Sequence, residues 1–110
     1  MKRYASHFLF LPRYGFLERQ VVELQDGRVS RVFPLTEEVE NTEWMPGVIA
    51  LLPPDADNEM PGFSRSLRRL PAMPSAIGTA QLRACVPVLF FPFDFTAMQP
   101  VAGTRRRPLL

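Results

Sequence analysis

Residues 4–11 are extended-looking and apolar on both sides. Tyr4, Ser6, Phe8 and Phe10 fall on one side, and Ala5, His7, Leu9 and Leu11 fall on the other. A period of two with both sides largely apolar predicts a strand covered on both faces. Pro12 ends this segment and Gly15 supplies a turn. The clearest local signal comes next. Gln20-Val21-Val22-Glu23-Leu24 and Val29-Ser30-Arg31-Val32-Phe33 flank Asp26-Gly27. Asp-Gly tolerates the positive φ angles of a type I′ hairpin turn. A two-residue loop then sets Leu24 opposite Val29, so apolar partners meet.

Residues 36–43 admit two readings. Thr36 can cap a short helix whose first turn holds Glu37, Glu38 and Glu40, but Val39 is its only apolar anchor. A loop leading into a strand at residues 42–45 fits as well. Pro46-Gly47 is expected as a turn, and residues 48–52 form an apolar run of strand length. Residues 53–75 change character, with Pro53, Pro54, Pro61, Pro71 and Pro74 among acidic residues. This is the chemistry of a connecting segment. Ser64 could cap one short helix over residues 64–70. Strand character returns at residues 84–91, a turn is expected near Pro92, and residues 93–101 follow. Residues 103–110 form a basic, flexible tail.

The sum is a single mainly-β domain over residues 1–110. The expected architecture is a small β-sandwich or barrel of about six strands with a proline-rich insertion and at most one or two short helices. The length of 110 residues fits one modest core. No apolar run approaches the roughly 20 residues of a membrane-spanning helix. Met1-Lys2-Arg3 opens like a signal peptide, but His7 and Arg13 interrupt it and no small-residue cleavage site follows. Cys85 is the single cysteine, which excludes an internal disulfide and favours the cytoplasm.

Charge is uneven along the chain. Residues 1–62 hold ten acidic and six basic side chains; residues 63–110 hold seven arginines and one acid, Asp94. The halves could attract each other within one chain or across a homodimer.

Candidate chemistry is sparse. One His and one Cys cannot supply a usual zinc set. Cys85 sits among Ala84, Val86 and Val88, an apolar setting that raises a thiol pKa. His7 is expected as a polar residue at a sheet edge or an interface. Glu37, Glu38, Glu40 and Glu43 suit a solvated face, and no Gly-rich phosphate loop is present. The expectation is a domain that is not an enzyme and needs no cofactor.

Residues 21–29, Val-Val-Glu-Leu-Gln-Asp-Gly-Arg-Val, and residues 44–51, Trp-Met-Pro-Gly-Val-Ile-Ala-Leu, resemble the opening of amidohydrolase-type metal-dependent hydrolases. There a hairpin and a Pro-Gly strand lead into a His-x-His metal site within a barrel. Here Ala50, Leu51 and Leu52 stand where those ligands would fall, so no metal ligand carries over. Ile77-Gly78-Thr79 and the run from Val86 to Asp94 resemble the return from that barrel. The resemblance implies the enzymes' composite β domain standing alone, with residues 53–75 in place of the barrel. It also implies an apolar surface at residues 48–52 and 89–95 left bare by the barrel, which the proline-rich segment or a second subunit would cover.

The candidate interaction surface is Arg65, Arg68, Arg69, Phe91, Phe93, Phe95, Arg105, Arg106 and Arg107. Its leading reading is a non-catalytic interaction or structural domain. A second reading is a small-molecule or peptide module with an aromatic-lined surface. Arginine-mediated nucleic-acid binding ranks last, because the phenylalanines sit in apolar runs and do not interleave with the basic residues in sequence.

Overall fold

A computed structural model describes residues 2–12, 14–36, 40–53 and 69–109. The mainly-β expectation holds. Seven strands and one helix follow in the order β1 (Lys2–Leu11), β2 (Gly15–Glu18), β3 (Gln20–Gln25), β4 (Arg28–Pro34), β5 (Thr42–Leu52), α1 (Thr79–Ala84), β6 (Val86–Asp94) and β7 (Gln99–Pro108). All strands belong to one sheet in the order β4-β3-β1-β5-β6-β7, with β2 paired to β1 beside β3. The sheet curls until β4 comes near β6, and α1 lies against β4.

The expected hairpin is β3–β4. Asp26 and Gly27 take φ of 54° and 76°, the left-handed values a type I′ turn needs. Leu24 pairs with Val29 as expected, and one irregularity between Glu23 and Leu24 then sets Glu23 against Arg31.

β1 is the centre of the sheet. It meets β2 and β3 antiparallel along one edge and β5 parallel along the other. Its side chains fill two clusters. Tyr4, Leu9 and Leu11 join Leu17, Val22, Leu24, Val29, Ile49, Leu51 and Leu89 inside the curl, where Ile77 and Leu82 pack against them. Phe10 joins Phe16, Val48, Ala50, Leu52, Val88 and Phe90 on the other face, with Phe8 beside them.

This corrects the simple alternation. Tyr4 shares a cluster with Leu9, not with Phe10, so β1 exchanges its faces near His7. A slip of one residue does this to every side chain beyond it. The neighbours break at the same level. Arg19, with φ of 45°, separates β2 from β3, and its N–H donates to the His7 carbonyl at 3.1 Å. On the other side β5 holds one extra residue between Met45 and Val48. Pro46-Gly47 is therefore a bulge inside one long strand and not a turn between two. Gly47 has φ of 120°, which a residue with a side chain rarely adopts. A crease thus crosses the sheet at Arg19, His7 and Gly47.

Other boundaries also moved. Residues 79–84 form a helix that the sequence pattern did not indicate, and the strand expected from residue 84 begins at Val86. The Gln81 side chain accepts the Gly78 N–H at 2.8 Å, which fixes the helix start. The strand after it runs through Pro92 to Asp94, and the turn comes later. There Asp94 Oδ1 accepts the Thr96 and Ala97 N–H groups at 2.9 and 3.0 Å. Residues 103–108 are not a free tail; they belong to β7, and Leu109 is buried and donates its N–H to the Pro87 carbonyl. Most of the connecting segment, including nearly all of the expected helix at 64–70, lies outside the described residues.

A Cβ at Gly47 would press on the Phe90 carbonyl oxygen and lie 3.2 Å from Phe91 Cβ. Gly47→Ala is expected to cost at least about 2 kcal/mol in urea unfolding. Gly27→Asn should cost less, about 1 kcal/mol, since its φ is strained for a side chain but nothing lies within 4 Å of a Cβ there. Equal losses at the two glycines would contradict the crease.

Candidate functional site

Four places gather polar or reactive side chains, and each is built by the sheet. The first is a row across its outer face. Register places Arg31, Glu23, Arg3 and Thr42 side by side on β4, β3, β1 and β5. Glu23 is 5% exposed. Its Oε2 accepts from Arg3 Nε and Arg31 Nη2, both at 3.0 Å, and Oε1 accepts from the Ser30 hydroxyl at 3.3 Å. Burial alone would push this carboxyl up. The hydrogen bonds from Arg3 and Arg31, the Arg31 charge and the Ser30 hydroxyl outweigh it and hold the carboxyl below its ordinary value.

The second place is the crease. His7 is exposed, yet its Nδ1 accepts the Gly47 N–H at 3.4 Å. Its ring lies 4.9 Å from Trp44, edge-on, and 4.7 Å from Phe95. His7 is therefore not at a sheet edge: it lies on the central strand, between two bonded neighbours, with its ring exposed as an interface position would have it.

The third place is a cleft between α1 and the sheet, about 370 Å³ in volume, lined by residues such as Leu11, Tyr14, Leu51, Ile77, Leu82 and Cys85. Burial pushes the Cys85 thiol up, and its Sγ donates to the Gln81 carbonyl at 3.2 Å. The thiol is held as a weakly reactive packing group. Among the described residues no group of three or more His, Cys, Asp or Glu side chains is placed to hold a metal ion.

The fourth place is the β6–β7 edge, where most of the candidate surface falls. Arg65 and Arg68 lie outside the described residues. Arg69 is bound by Glu18 at 2.8 Å and lies over the Phe8 ring at 5.2 Å. Phe93 is buried, and Phe95 is half-buried among His7, Phe8 and Phe93. Arg106 lies 5.9 Å from the Phe90 ring centroid. Arginines and phenylalanines do interleave, across strands rather than along the sequence. These contacts cover aromatic faces and explain part of the arginine content structurally.

Phe91, Arg105 and Arg107 remain. Phe91 is 48% exposed and is the register partner of Arg105, while Arg107 is the partner of the buried Leu89. Both arginines are exposed, and neither has an ion-pair partner among the described residues.

The apolar face expected at residues 48–52 and 89–95 is largely covered within the single chain. Residues 48–52 are at most 3% exposed, and of the second run Phe91 is the one large side chain left open. No protein-family model, curated protein or solved structure matches the chain.

The Glu23 network escaped the sequence reading. A plain two-residue hairpin sets Glu23 against Ser30; the irregularity beside it brings Arg31 instead, and Arg3 arrives from a strand twenty positions away. Glu23→Gln is expected to cost about 2 kcal/mol or more, because it removes the charge that holds two arginines. The depressed carboxyl also sets a pH dependence. It contributes stability above the unfolded value of about 4.5, and that contribution disappears as pH falls through the lower folded value. Urea unfolding from pH 7 to pH 3 should show a shallower acid loss in Glu23→Gln. An unchanged acid limb would contradict the network.

Proposed function

We propose that the chain is a non-catalytic interaction domain, working in the cytoplasm and related in layout to the β domain of amidohydrolase-type enzymes. One observation carries this reading: among the described residues, His7, Cys85, Glu23 and Asp94 are each bound into the fold. His7 accepts a backbone N–H at the bulge, Cys85 donates to a helix carbonyl, Glu23 holds two arginines, and Asp94 caps a turn. A nucleophile or general base needs a free lone pair and a partner oriented to activate it. None of these four stands within such a pair.

The likeness to the hydrolase β domain is supported by the element order. A strand, the Asp26-Gly27 hairpin and the Pro46-Gly47 strand follow in sequence, and β6 then returns to pair with β5. The half-buried free thiol favours a reducing compartment. No helix among the described residues is long and apolar enough to cross a membrane.

The test is a hydrolysis assay. Pure protein with Zn²⁺ or Mn²⁺ is offered ester, amide and cyclic-amide substrates. The expected result is no turnover above metal in buffer. Turnover that His7→Ala or Cys85→Ser abolishes would overturn the reading.

The cleft beside α1 favours a second reading, a site for a small apolar ligand. Its volume of about 370 Å³ falls within the range of small-molecule sites, and its lining is mainly aliphatic. It is not the phenylalanine-lined surface expected from the sequence. A thermal-shift screen of apolar metabolites checks it. A true ligand should raise the midpoint in wild type and not in Leu82→Trp, which fills the cleft. No shift by any compound would remove this reading.

A further inference from the structure

Three places are candidates for a further role: the exposed Trp44 ring beside His7, the cleft at Cys85, and the patch at Phe91, Arg105 and Arg107. The last has the most specific geometry. β6 and β7 are antiparallel neighbours, and Phe91 faces Arg105 in register. Side chains alternate along a strand, so Arg105 and Arg107 point to one side while Arg106 turns to the other, over Phe90. Phe91, two positions from Leu89, shares the side of Arg105. The result is one exposed ring with two guanidiniums along its flank. The two arginines are about 6.7 Å apart along the strand.

That spacing defines what fits. An extended peptide with acidic residues at alternate positions carries its carboxylates at the same repeat. Laid along β7, it would meet Arg105 and Arg107 with two carboxylates at once, and an apolar side chain from it could cover Phe91. Guanidinium groups pair carboxylates through two parallel hydrogen bonds, and aromatic and arginine side chains are enriched among residues that dominate interfaces. The local field agrees. Between residues 79 and 109 the one acid is Asp94, against Arg83, Arg105, Arg106 and Arg107. Asp94 is already engaged by two turn N–H groups.

A second copy fits the same edge less well. The strands at the two ends of the sheet order carry arginine and no acid: Arg28 and Arg31 on β4, and Arg105, Arg106 and Arg107 on β7. Joining copies edge to edge would set like charges opposite one another, a common protection of sheet edges. Pro108 also removes one donor from β7.

We infer that the patch formed by Phe91, Arg105 and Arg107 docks an extended acidic segment of another protein, with carboxylates at alternate positions around an apolar residue. This deepens the interaction-domain reading and rests on it.

The test uses the full chain and a fluorescein-labelled twelve-residue peptide in which Glu alternates with Thr around one central Leu. A control peptide of the same composition carries its glutamates in one block. Fluorescence anisotropy at low salt should show the alternating peptide binding at least fivefold tighter than the block. Raising the salt should weaken binding, because the contacts are exposed ion pairs. Arg105→Ala/Arg107→Ala should weaken it at least tenfold, and Phe91→Ser by severalfold. Both variants should keep the wild-type unfolding midpoint within error, since these side chains are exposed.

Equal binding of the two peptides, or no loss in the double variant, would overturn the inference. So would tighter binding of a ten-nucleotide oligothymidine with the same arginine dependence, which would make the patch a nucleic-acid surface. A wild-type dimer that the double variant dissociates would overturn it too, as the patch would then join copies of this chain. These outcomes are separate from the hydrolysis assay. Turnover there would remove the interaction-domain reading even if the peptide bound, and failure here would leave that reading to another surface.

Discussion

At the level of His7, three hydrogen-bonded strands change together. β1 exchanges its faces, β2 gives way to β3 at Arg19, and β5 takes up an extra residue at Pro46-Gly47. The backbone carbonyl of His7 ties Arg19 on one side, and its ring nitrogen ties Gly47 on the other. This crease lets one strand serve two differently arranged halves. Below it, Leu9 and Leu11 turn into the curl while Phe8 and Phe10 cover the outer face. Above it, Tyr4 turns in while Arg3 and Ala5 take the outer face. The disruption then continues along the sheet. Between β6 and β7 the register shifts from Phe91 to Phe93, on either side of Pro92. Phe91 stands exposed beside that step.

The consequences for function follow from this arrangement. The one histidine is placed to fix a bulge, and the most buried acid is placed to balance two arginines on the outer face. Burying a carboxylate costs several kcal/mol unless hydrogen-bonded counter-charges compensate, so Glu23 is tied to its partners and has no freedom to serve elsewhere. Four of the described arginines, Arg3, Arg31, Arg69 and Arg106, lie against rings or acids for similar reasons. Arg31 lies 4.8 Å from the Phe33 ring centroid, and Arg69 lies between Glu18 and Phe8. Phe91, Arg105 and Arg107 are left exposed at the β6–β7 edge, where the sheet order ends.

Much of the local structure was legible in the sequence, because it depends on neighbours a few residues apart. The Asp26-Gly27 hairpin, the apolar run at 48–52 and the mainly-β class all follow from short-range pattern and turn chemistry. The crease was not legible. Alternation along residues 4–11 looks continuous because both sides are apolar, so a change of face leaves no trace in the pattern. Pro46-Gly47 is chemically the same whether it turns the chain or makes a bulge, and only the parallel partner β1 decides between them. The six-residue helix was hidden by the apolar run that follows it, although Gly78 and Gln81 carried its start signal. At the candidate edge, Arg105, Arg106 and Arg107 were visible as a cluster. Their division between two faces, and the pairing of Arg105 with Phe91, needed the register of β6.

The central claim is that the crease is a bonded part of one continuous sheet and not a break between two halves. Native-state hydrogen exchange, resolved by residue, tests it most directly. The account predicts that the Arg19 amide exchanges with the same opening free energy as the amides of Leu9 and Ile49 on the strands it joins, through global unfolding. It also predicts measurable protection of the Gly47 amide. Fast exchange at Arg19 and Gly47, with slow exchange in the strands on either side, would contradict it.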